Sequence, residues 1–454
     1  MIRNKFYLPL ACIVVFSGCS TVSQNEVFGS MERMSVERGA EDLKWIKTAE
    51  EAEAAEKSLK TLLSLPLDEE NAVRITLINN RALQQVYERI GIAQSELVQA
   101  GLMTNPLLGY SFGHGGGIGK TGVTLELAFL DLLWIPLRKE LGGLALEETK
   151  MDVADEVLRT VRDAKKSYID VRISDELVRL NGDVLKSYEA ALQLAARQNA
   201  AGNLSKRDLL KIKDGYARAR IESMRLHRDY AVAREALNQR MGLYGEHTDY
   251  TLSNEPLKLN VQPPAPDALE KFAMEHRLDI AAARKAVEYA AVEAGYTKNT
   301  RLLQEVTLEA QSEKGSGEER FNTFGIKIPI PIFDIGQGRI SRTQARYNQS
   351  VNHLYELAVN VRSQTREEYA KLRYAYDIAQ VYQDSVVKTD QSILEETQLF
   401  YNGMLDGIYE LLSDQRRYAD AKMQSLSALG EYRKSYADLM YVTGGMITAP
   451  KDKR

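Results

Sequence analysis

The text of this chain occurs twice. Sliding its 454 residues by 201 positions sets Arg138 on Arg339, Val157 on Ala358, Tyr168 on Tyr369, Val171 on Leu372, Leu185 on Val386, Leu192 on Ile393, Gly202 on Gly403 and Leu204 on Leu405. An alternating apolar segment ending in proline stands ahead of each matched stretch, Val123 to Pro136 in one copy and Phe324 to Pro331 in the other. Identity is low but the pattern persists, so the fold must be one that uses a single structural unit twice.

Each copy opens with helix-forming text. Asp68 to Ala100 contains neither Gly nor Pro apart from Gly91, and its counterpart is Asp267 to Tyr296, with Asn80-Arg81-Ala82-Leu83 set against His276-Arg277-Leu278-Asp279. Two strands follow. In Leu107 to His114 the residues Leu108, Tyr110 and Phe112 share one face and Gly109, Ser111 and Gly113 the other; in Thr121 to Leu130, Val123, Leu125, Leu127 and Phe129 alternate with Thr124, Glu126 and Ala128. The second copy sets Val306, Leu308 and Ala310 against Glu305, Thr307 and Glu309, then Phe324, Ile326, Ile328 and Ile330 against Thr323, Gly325, Lys327 and Pro329. A soluble sheet with one wet face would show this alternation. Each segment is also close to the roughly 9 to 11 residues that a tilted strand needs to cross a bilayer, and the uniformity of the apolar faces favours a membrane barrel.

The remainder is helix. With only 11 prolines and 27% charged residues, the composition points to long helices rather than many small domains. From Arg138 to about Asn199 no proline interrupts a seven-residue seam, Val157, Ala164, Val171, Val178, Leu185, Leu192, which reads Ala358, Thr365, Leu372, Ala379, Val386, Ile393 in the second copy. Some 60 residues at about 1.5 Å each make a rod of about 90 Å. Both rods end at glycine turns, Ala201-Gly202-Asn203-Leu204-Ser205 and Asn402-Gly403-Met404-Leu405-Asp406, where Ser205 or Asp406 can cap the returning helices Lys206 to Gly242 and Gly407 to Val442. Each copy is therefore a helical hairpin hanging from two strands.

The N-terminus has the layout of a secretory leader: Arg3 and Lys5 precede an apolar run from Phe6 to Phe16. Phe16-Ser17-Gly18-Cys19 resembles a bacterial lipobox, which implies cleavage before Cys19 and acylation of its sulfur; Ser20 follows, where an aspartate would suggest retention in the inner membrane. The expected organisation is a leader at 1–18, a polar tether at 19–67, a first copy at 68–250, a linker at 251–266 around Pro263-Pro264-Ala265-Pro266, a second copy at 267–445 and a tail at 446–454.

Several functions are disfavoured. Cys12 lies within the leader, so disulfide or thiol chemistry is not expected. Loss of Arg3 and Lys5 makes the formal charge of −4 two units more negative, with no basic block to follow a nucleic-acid backbone. Gly113-His114-Gly115-Gly116-Gly117-Ile118-Gly119-Lys120-Thr121 has the look of a phosphate loop, but its first required glycine falls on His114 and a strand follows Thr121. It reads as an outward-facing loop between strands, as does Glu313 to Glu319. His114, His227, His247, His276 and His353 show no ligand spacing, and neither a cofactor nor an enzymatic constellation is expected.

Four strands cannot close a membrane barrel, whose strands number eight or more, and an open edge in lipid leaves backbone groups unpaired. The chain must oligomerise; a trimer with about 12 strands is the simplest solution, and two or four chains also satisfy the parity. Together with the lipobox, the two glycine turns and Pro329-Ile330-Pro331-Ile332-Phe333-Asp334 ahead of a long helix, this architecture resembles the TolC-like outer membrane efflux proteins, in their lipoprotein branch, over roughly residues 65 to 445. The resemblance implies an α+β membrane protein: a trimeric 12-stranded transmembrane β-barrel, four strands per chain, continued by a long periplasmic α-helical barrel. It implies a passive exit duct in the outer membrane of a Gram-negative bacterium, lipid-anchored and docked to a periplasmic adaptor and an inner-membrane transporter. The first copy departs from the pattern at Phe129-Leu130-Asp131-Leu132-Leu133-Trp134-Ile135-Pro136, read as a longer strand-to-helix elbow with Trp134 near the periplasmic interface.

If the chain is such a duct, the helical tips at Gly202, Leu204, Ser205, Gly403, Leu405 and Asp406 are the expected adaptor contacts, the alternative being plain turn and cap residues. Glu395 and Glu396 could form an acidic ring at a periplasmic gate, although a solvated helix face explains them as well. Glu126, Glu305, Glu309 and Lys327 would line the barrel lumen. The rival reading is a structural coiled-coil envelope lipoprotein, which accounts for the seam and Cys19 but not for four amphipathic strands; a periplasmic adaptor would need soluble β-domains that the text lacks.

Overall fold

Local signals in the sequence account for where several helices begin. Thr48 caps α2 (Ala49–Leu63) by accepting from the Glu51 amide while the Glu51 carboxylate accepts from the Thr48 amide, a reciprocal capping box. Asp68 caps α3 (Glu69–Asn79) through the Asn71 amide. A computed structural model describes residues 24–115, 118–259, 268–302, 306–315 and 319–445. The leader, Cys19, the prolines at 263–266 and the tail at 446–454 lie outside the described residues. The elements run α1 (Gln24–Val36), α2, α3, α4 (Arg81–Ala100), β1 (Leu107–Gly115), β2 (Ile118–Ala128), α5 (Leu130–Ala200) and α6 (Lys206–Met241). They continue α7 (Leu269–His276), α8 (Leu278–Thr300), β3 (Thr307–Gly315), β4 (Phe321–Lys327), α9 (Gln337–Val381), a π-turn (Tyr382–Val386), α10 (Val387–Asn402) and α11 (Ile408–Val442).

The chain folds into two compact units, and neither coincides with one half of the text. The first gathers Glu88–Met151 and Ala282–Leu354 with the described residues up to Met31; the second gathers Glu32–Tyr87, Asp152–Ala281 and the chain from Tyr355 onward. Each therefore takes material from both halves. In the first unit the four strands form one antiparallel sheet in the order β1-β2-β3-β4, with β2 joined directly to β3, so that strands from the two halves pair at its centre.

Helices pack along apolar seams in the second unit. Leu59, Leu67, Ile75, Tyr168, Val171, Leu237 and Met241 form one buried cluster, and Leu67 also pairs with Leu252 in a short parallel bridge. The Tyr168 hydroxyl donates to the Leu67 carbonyl at 3.1 Å. Val184, Tyr188, Ala191, Ala195, Ile212, Ala219, Leu412 and Ala419 form a second cluster between α5, α6 and α11. Arg172, 1% exposed, is held by the Glu255 carbonyl at 3.2 Å and by Asp175 and Glu176. The polar segment expected as a tether forms α1 and α2, burying Met31 and Leu59 on those helices and Ala40, Leu43 and Trp45 in the irregular stretch between them.

Other expectations need correction. The helix expected from Asp68 to Ala100 is broken at Asn80 (φ −68°, ψ 112°), and that from Asp267 to Tyr296 at Arg277 (φ −67°, ψ 132°). No glycine or proline causes either break. Asn80 Oδ1 accepts from the Ala82 and Leu83 amides while its Nδ2 donates to the Arg240 carbonyl, and Asn79 Nδ2 donates to the Met241 and Gly242 carbonyls. Likewise Arg277 donates to the Val442 carbonyl at 3.2 Å. The break residues thus satisfy carbonyls left open where α6 and α11 end.

The glycine-rich stretch expected as a loop is largely strand, since His114 pairs with Gly119 and Gly115 with Ile118. Glu313 to Gly315 likewise belongs to β3. Strand β4 stops at Lys327 rather than at Pro331, because Pro329 and Pro331 have no N–H for a ladder. Conversely α5 begins at Leu130, not Arg138, and accommodates Pro136 within it at the loss of one backbone hydrogen bond.

The spacing of the two halves also changes along the chain. Buried Ala164 and Val171 have buried counterparts 201 positions on, Thr365 and Leu372. Beyond the π-turn the interval is 202: Ala195 corresponds to Thr397, and Ala219, Leu237 and Met241 correspond to Ala421, Leu439 and Thr443. A π-turn takes up one residue more than an α-turn, which accounts for the difference.

Candidate functional site

The sheet register determines which side chains meet. Glu126 stands opposite Glu309, Glu309 opposite Gly325, and Lys327 lies two residues further along the same face of β4. Two adjacent carboxylates would repel, and the lysine resolves this: Lys327 Nζ is 2.6 Å from Glu126 Oε1 and 3.1 Å from Glu309 Oε2. Three of the four expected lumen residues are thereby brought into one cluster. Glu305 lies outside the described residues. Further along this face Gln311 donates to Glu313 at 2.7 Å; both extend the period-two pattern that was the available signal, though neither was singled out from sequence.

The opposite face is apolar and uncovered. Leu108, Tyr110 and Phe112 on β1, Val123 and Leu125 on β2, and Phe324 and Ile326 on β4 are all exposed, Leu108 to 75% and Phe324 to 84%. Withdrawing such side chains from water stabilises by about 1.5–3 kcal/mol each. Among the described residues the outer edges of β1 and β4 have no strand paired to them.

At each strand-to-helix elbow an arginine holds an aspartate. Arg138 is 3.6 Å from Asp131 and donates to the Leu102 carbonyl; Arg339 is 3.5 Å from Asp334. Thr104 donates to Asp131 as well. Trp134 packs edge-on against Tyr296 with ring centroids 5.8 Å apart. Exposed Leu132 and Leu133 in one elbow, and Ile330, Ile332 and Phe333 in the other, form an apolar fringe.

The two hairpin tips are built differently. Gly202 adopts a left-handed conformation (φ 80°), and Ser205 caps α6 by accepting from the Asp208 amide while donating to its carboxylate. In the second tip the left-handed residue is Met404 (φ 60°), while Gly403 has φ −77°. Gly407, not Asp406, stands at the N-cap of α11, and no side chain caps that helix. Positions 202 on from Gly202 and Ser205, Met404 and Gly407, thus take the left-handed and N-cap places in the second tip. Met404 is 93% exposed and Leu405 is exposed beside it, whereas Leu204 is half-buried against the α5–α6 cluster. Sequence reading missed Met404; two apolar residues following a turn glycine were the signal.

Glu395 and Glu396 are exposed on α10, Glu395 accepting from Gln391 at 2.9 Å on the same helix. Below them Thr397 donates to Asp414 at 2.6 Å, and Arg417 pairs with Asp390 and Asp414, tying α10 to α11.

Comparison with known proteins bears on both halves. Residues 271–445 match the profile of the family described as outer membrane efflux protein. Nodulation protein T of Rhizobium leguminosarum bv. viciae is 24% identical over 401 residues, 83% of this chain and 81% of its own length. The cobalt-zinc-cadmium resistance protein CzcC of Cupriavidus metallidurans is 24% identical over 388 residues, 81% of this chain and 87% of its own. Among solved structures, CusC superposes with a TM-score of 0.70 at 17% identity, covering 86% of this chain and 92% of that one. The Campylobacter jejuni CmeC outer membrane channel gives 0.72 at 12% identity, covering 83% and 85%. These structures share the fold of this chain, the relatives span both its halves, and over residues 271–445 the chain is similar to the outer membrane efflux protein family.

Proposed function

We propose that this protein is the outer membrane duct of a tripartite efflux or secretion system, a passive channel without chemistry of its own. The observation that carries the proposal is the four-stranded sheet, with one charged face, one exposed apolar face and two edges that no described strand pairs. In lipid each unsatisfied backbone group costs several kcal/mol, so such a sheet is stable there only when its edges pair with those of further copies. Three copies supply twelve strands, enough for a barrel whose charged face, with Glu126, Glu309 and Lys327, surrounds water. The long helices of three chains continue the wall as an α-helical barrel in the periplasm. An internal duplication explains why each chain supplies two near-equivalent sectors: paired break residues, paired elbow arginines and paired return helices support it.

The tips around Gly202, Leu204, Ser205, Gly403, Leu405 and Asp406 receive the periplasmic adaptor, with Met404 the most exposed apolar contact. Glu395 and Glu396 form the acidic entrance, energy comes from the inner-membrane transporter, and Cys19 carries the lipid. The decisive experiment is cysteine crosslinking between the outer edges of β1 and β4, for example Ser111→Cys with Thr323→Cys, read on unheated and heated gels. A heat-sensitive trimer that crosslinks β1 to β4 is expected. A monomer in the outer membrane, or crosslinks absent from a stable oligomer, would refute the barrel. Separately, Cys19→Ser is expected to abolish lipid labelling; normal processing of that variant would refute the lipoprotein assignment alone.

A further inference from the structure

The second unit contains a cavity of about 300 Å³ that no duct function requires. Its apolar lining comes from Leu158 and Val161 on α5 and from Tyr432, Tyr436 and Met440 on α11. Four cationic side chains reach it, Arg38, Arg162, Lys165 and Arg433, against the single carboxylate of Glu69. Two of these cations are already neutralised: Arg433 lies 2.6 Å from Glu69, and Arg162 binds Asp163 through two nitrogens at 2.9 and 2.7 Å. Arg38 has only a long ion pair with the exposed Glu37, and Lys165 has none among the described residues.

Arg38 donates to backbone carbonyls, those of Met34 and His276, and its ion pair with Glu37 is long, 3.9 Å, and largely in solvent. Burial holds its guanidinium below the ordinary arginine range, the effect expected of a cation short of counter-charge. Lys165 is half-buried and has neither an ion pair nor a hydrogen bond among the described residues. An apolar pocket with a few converging polar groups is the usual form of a small-molecule site, and this volume lies at the lower end of the range, about 300–1,000 Å³.

We propose that this cavity binds a small amphipathic monoanion, an aromatic or short-chain carboxylate, with its body against Tyr432, Tyr436 and Met440 and its carboxylate between Lys165 and Arg38. The aromatic walls favour a flat apolar body, since ring pairs add to the gain from area alone. Unpaired Lys165, with weakly paired Arg38 beside it, selects charge, because a lysine–carboxylate contact at a partly desolvated site is stronger than at an open surface. The assignment is independent of the channel reading.

The test is calorimetric titration of 2-naphthoate into the full chain in lipid nanodiscs, with empty nanodiscs as the reference and 2-naphthylmethylammonium as the analogue of opposite charge. One site per chain is expected for the carboxylate. Lys165→Glu should weaken it about tenfold or more, with Lys165→Arg restoring most of the affinity, since charge reversal removes a charge-assisted bond and adds a repulsion. Circular dichroism of Lys165→Glu, expected to be unchanged, separates lost binding from lost folding; Tyr436→Ala, expected to weaken both the wild-type and Lys165→Arg proteins, decides if Lys165→Glu does not fold. No saturable binding, equal binding of the ammonium analogue, or an unchanged affinity in Lys165→Glu would overturn the proposal. Binding that appears only in a chain ending at Gly445 would overturn it too, by identifying residues 446–454 as the occupant. None of these outcomes alters the gel and crosslinking results that decide the barrel.

Discussion

Gly242 and Asn79 approach so closely that a Cβ on the glycine would stand 2.8 Å from the asparagine carbonyl oxygen. Gly444 stands in the same relation to His276, where a Cβ would lie 2.8 Å from the carbonyl oxygen. Both glycines follow the end of a return helix in the left-handed region, at φ 68° and 82°. Each therefore lacks a side chain for two reasons, conformation and space.

Substitution separates those reasons. Gly242→Ala and Gly444→Ala are each expected to cost about 1–3 kcal/mol or more, because strain is joined by collision with backbone that cannot swing aside. Gly202→Ala, at φ 80° but with open space around it, is expected to cost about 1 kcal/mol. Thermal melts followed by circular dichroism check the order; equal losses at all three positions would show that crowding contributes nothing.

The π-turn allows a deletion test. Removing Ser385 should convert Tyr382–Val386 to ordinary helix and leave the faces on either side in phase, so stability is expected to stay within about 1 kcal/mol of wild type. Removing Asp183 from α5, which has no such turn, rotates all later residues by about 100° and turns Tyr188, Ala191 and Ala195 out of their cluster. Comparable damage from both deletions would mean that the π-turn does not absorb an extra residue.

Asp155 offers a pH dependence with a defined sign. Its burial, reinforced by the Asp279 charge, raises the carboxyl above its ordinary range although Arg159, the Tyr441 hydroxyl and Arg277 act the other way. The folded chain then keeps a proton that the unfolded chain has released, so stability is greatest below the ordinary carboxylate range and falls as pH rises towards the raised value. Asp155→Asn removes that slope. The melting temperature of wild type relative to Asp155→Asn is expected to be higher at about pH 4 than at about pH 7.5; a constant difference would rule the perturbation out.

Lys327 should govern ion selectivity if the charged face surrounds water. Lys327→Glu places a third carboxylate beside Glu126 and Glu309, and the cation preference in planar bilayers is expected to rise several-fold at 0.15 M salt. At 1 M the effect should shrink, as the screening length drops from about 8 Å to about 3 Å. Unchanged selectivity at low salt would place these residues outside the conducting path.

Glu395 and Glu396 are tested by reversing both charges. Closed-state leakage is expected to change in Glu395→Lys/Glu396→Lys, since like charges related by threefold symmetry would face one another. Identical leakage would leave them as solvated helix residues.

The strands, the long helices and the tips were legible because each depends on neighbours close in sequence. Leu108, Tyr110 and Phe112 alternate because a strand alternates, and Ser205 caps the helix that it precedes. Pro329 and Pro331 were equally local signals for the end of β4, although the apolar alternation ran through them. The meeting of Lys327 with Glu126, 201 residues apart, required the central β2–β3 pairing, which no local pattern specifies.

By itself the sequence determined that this chain has four amphipathic strands, helices too long for a small domain, and seams along which those helices pack. Only the tertiary structure decided where they break and how they register. Asn80 ends a helix because the Arg240 carbonyl, 160 residues away, accepts from its side chain. Met404 rather than Gly403 takes the left-handed turn because the π-turn has moved the second tip by one residue. Periodicity and side-chain caps follow from the geometry of a few neighbouring residues, whereas the helix breaks and the register follow from hydrogen bonds that exist only after distant segments have met.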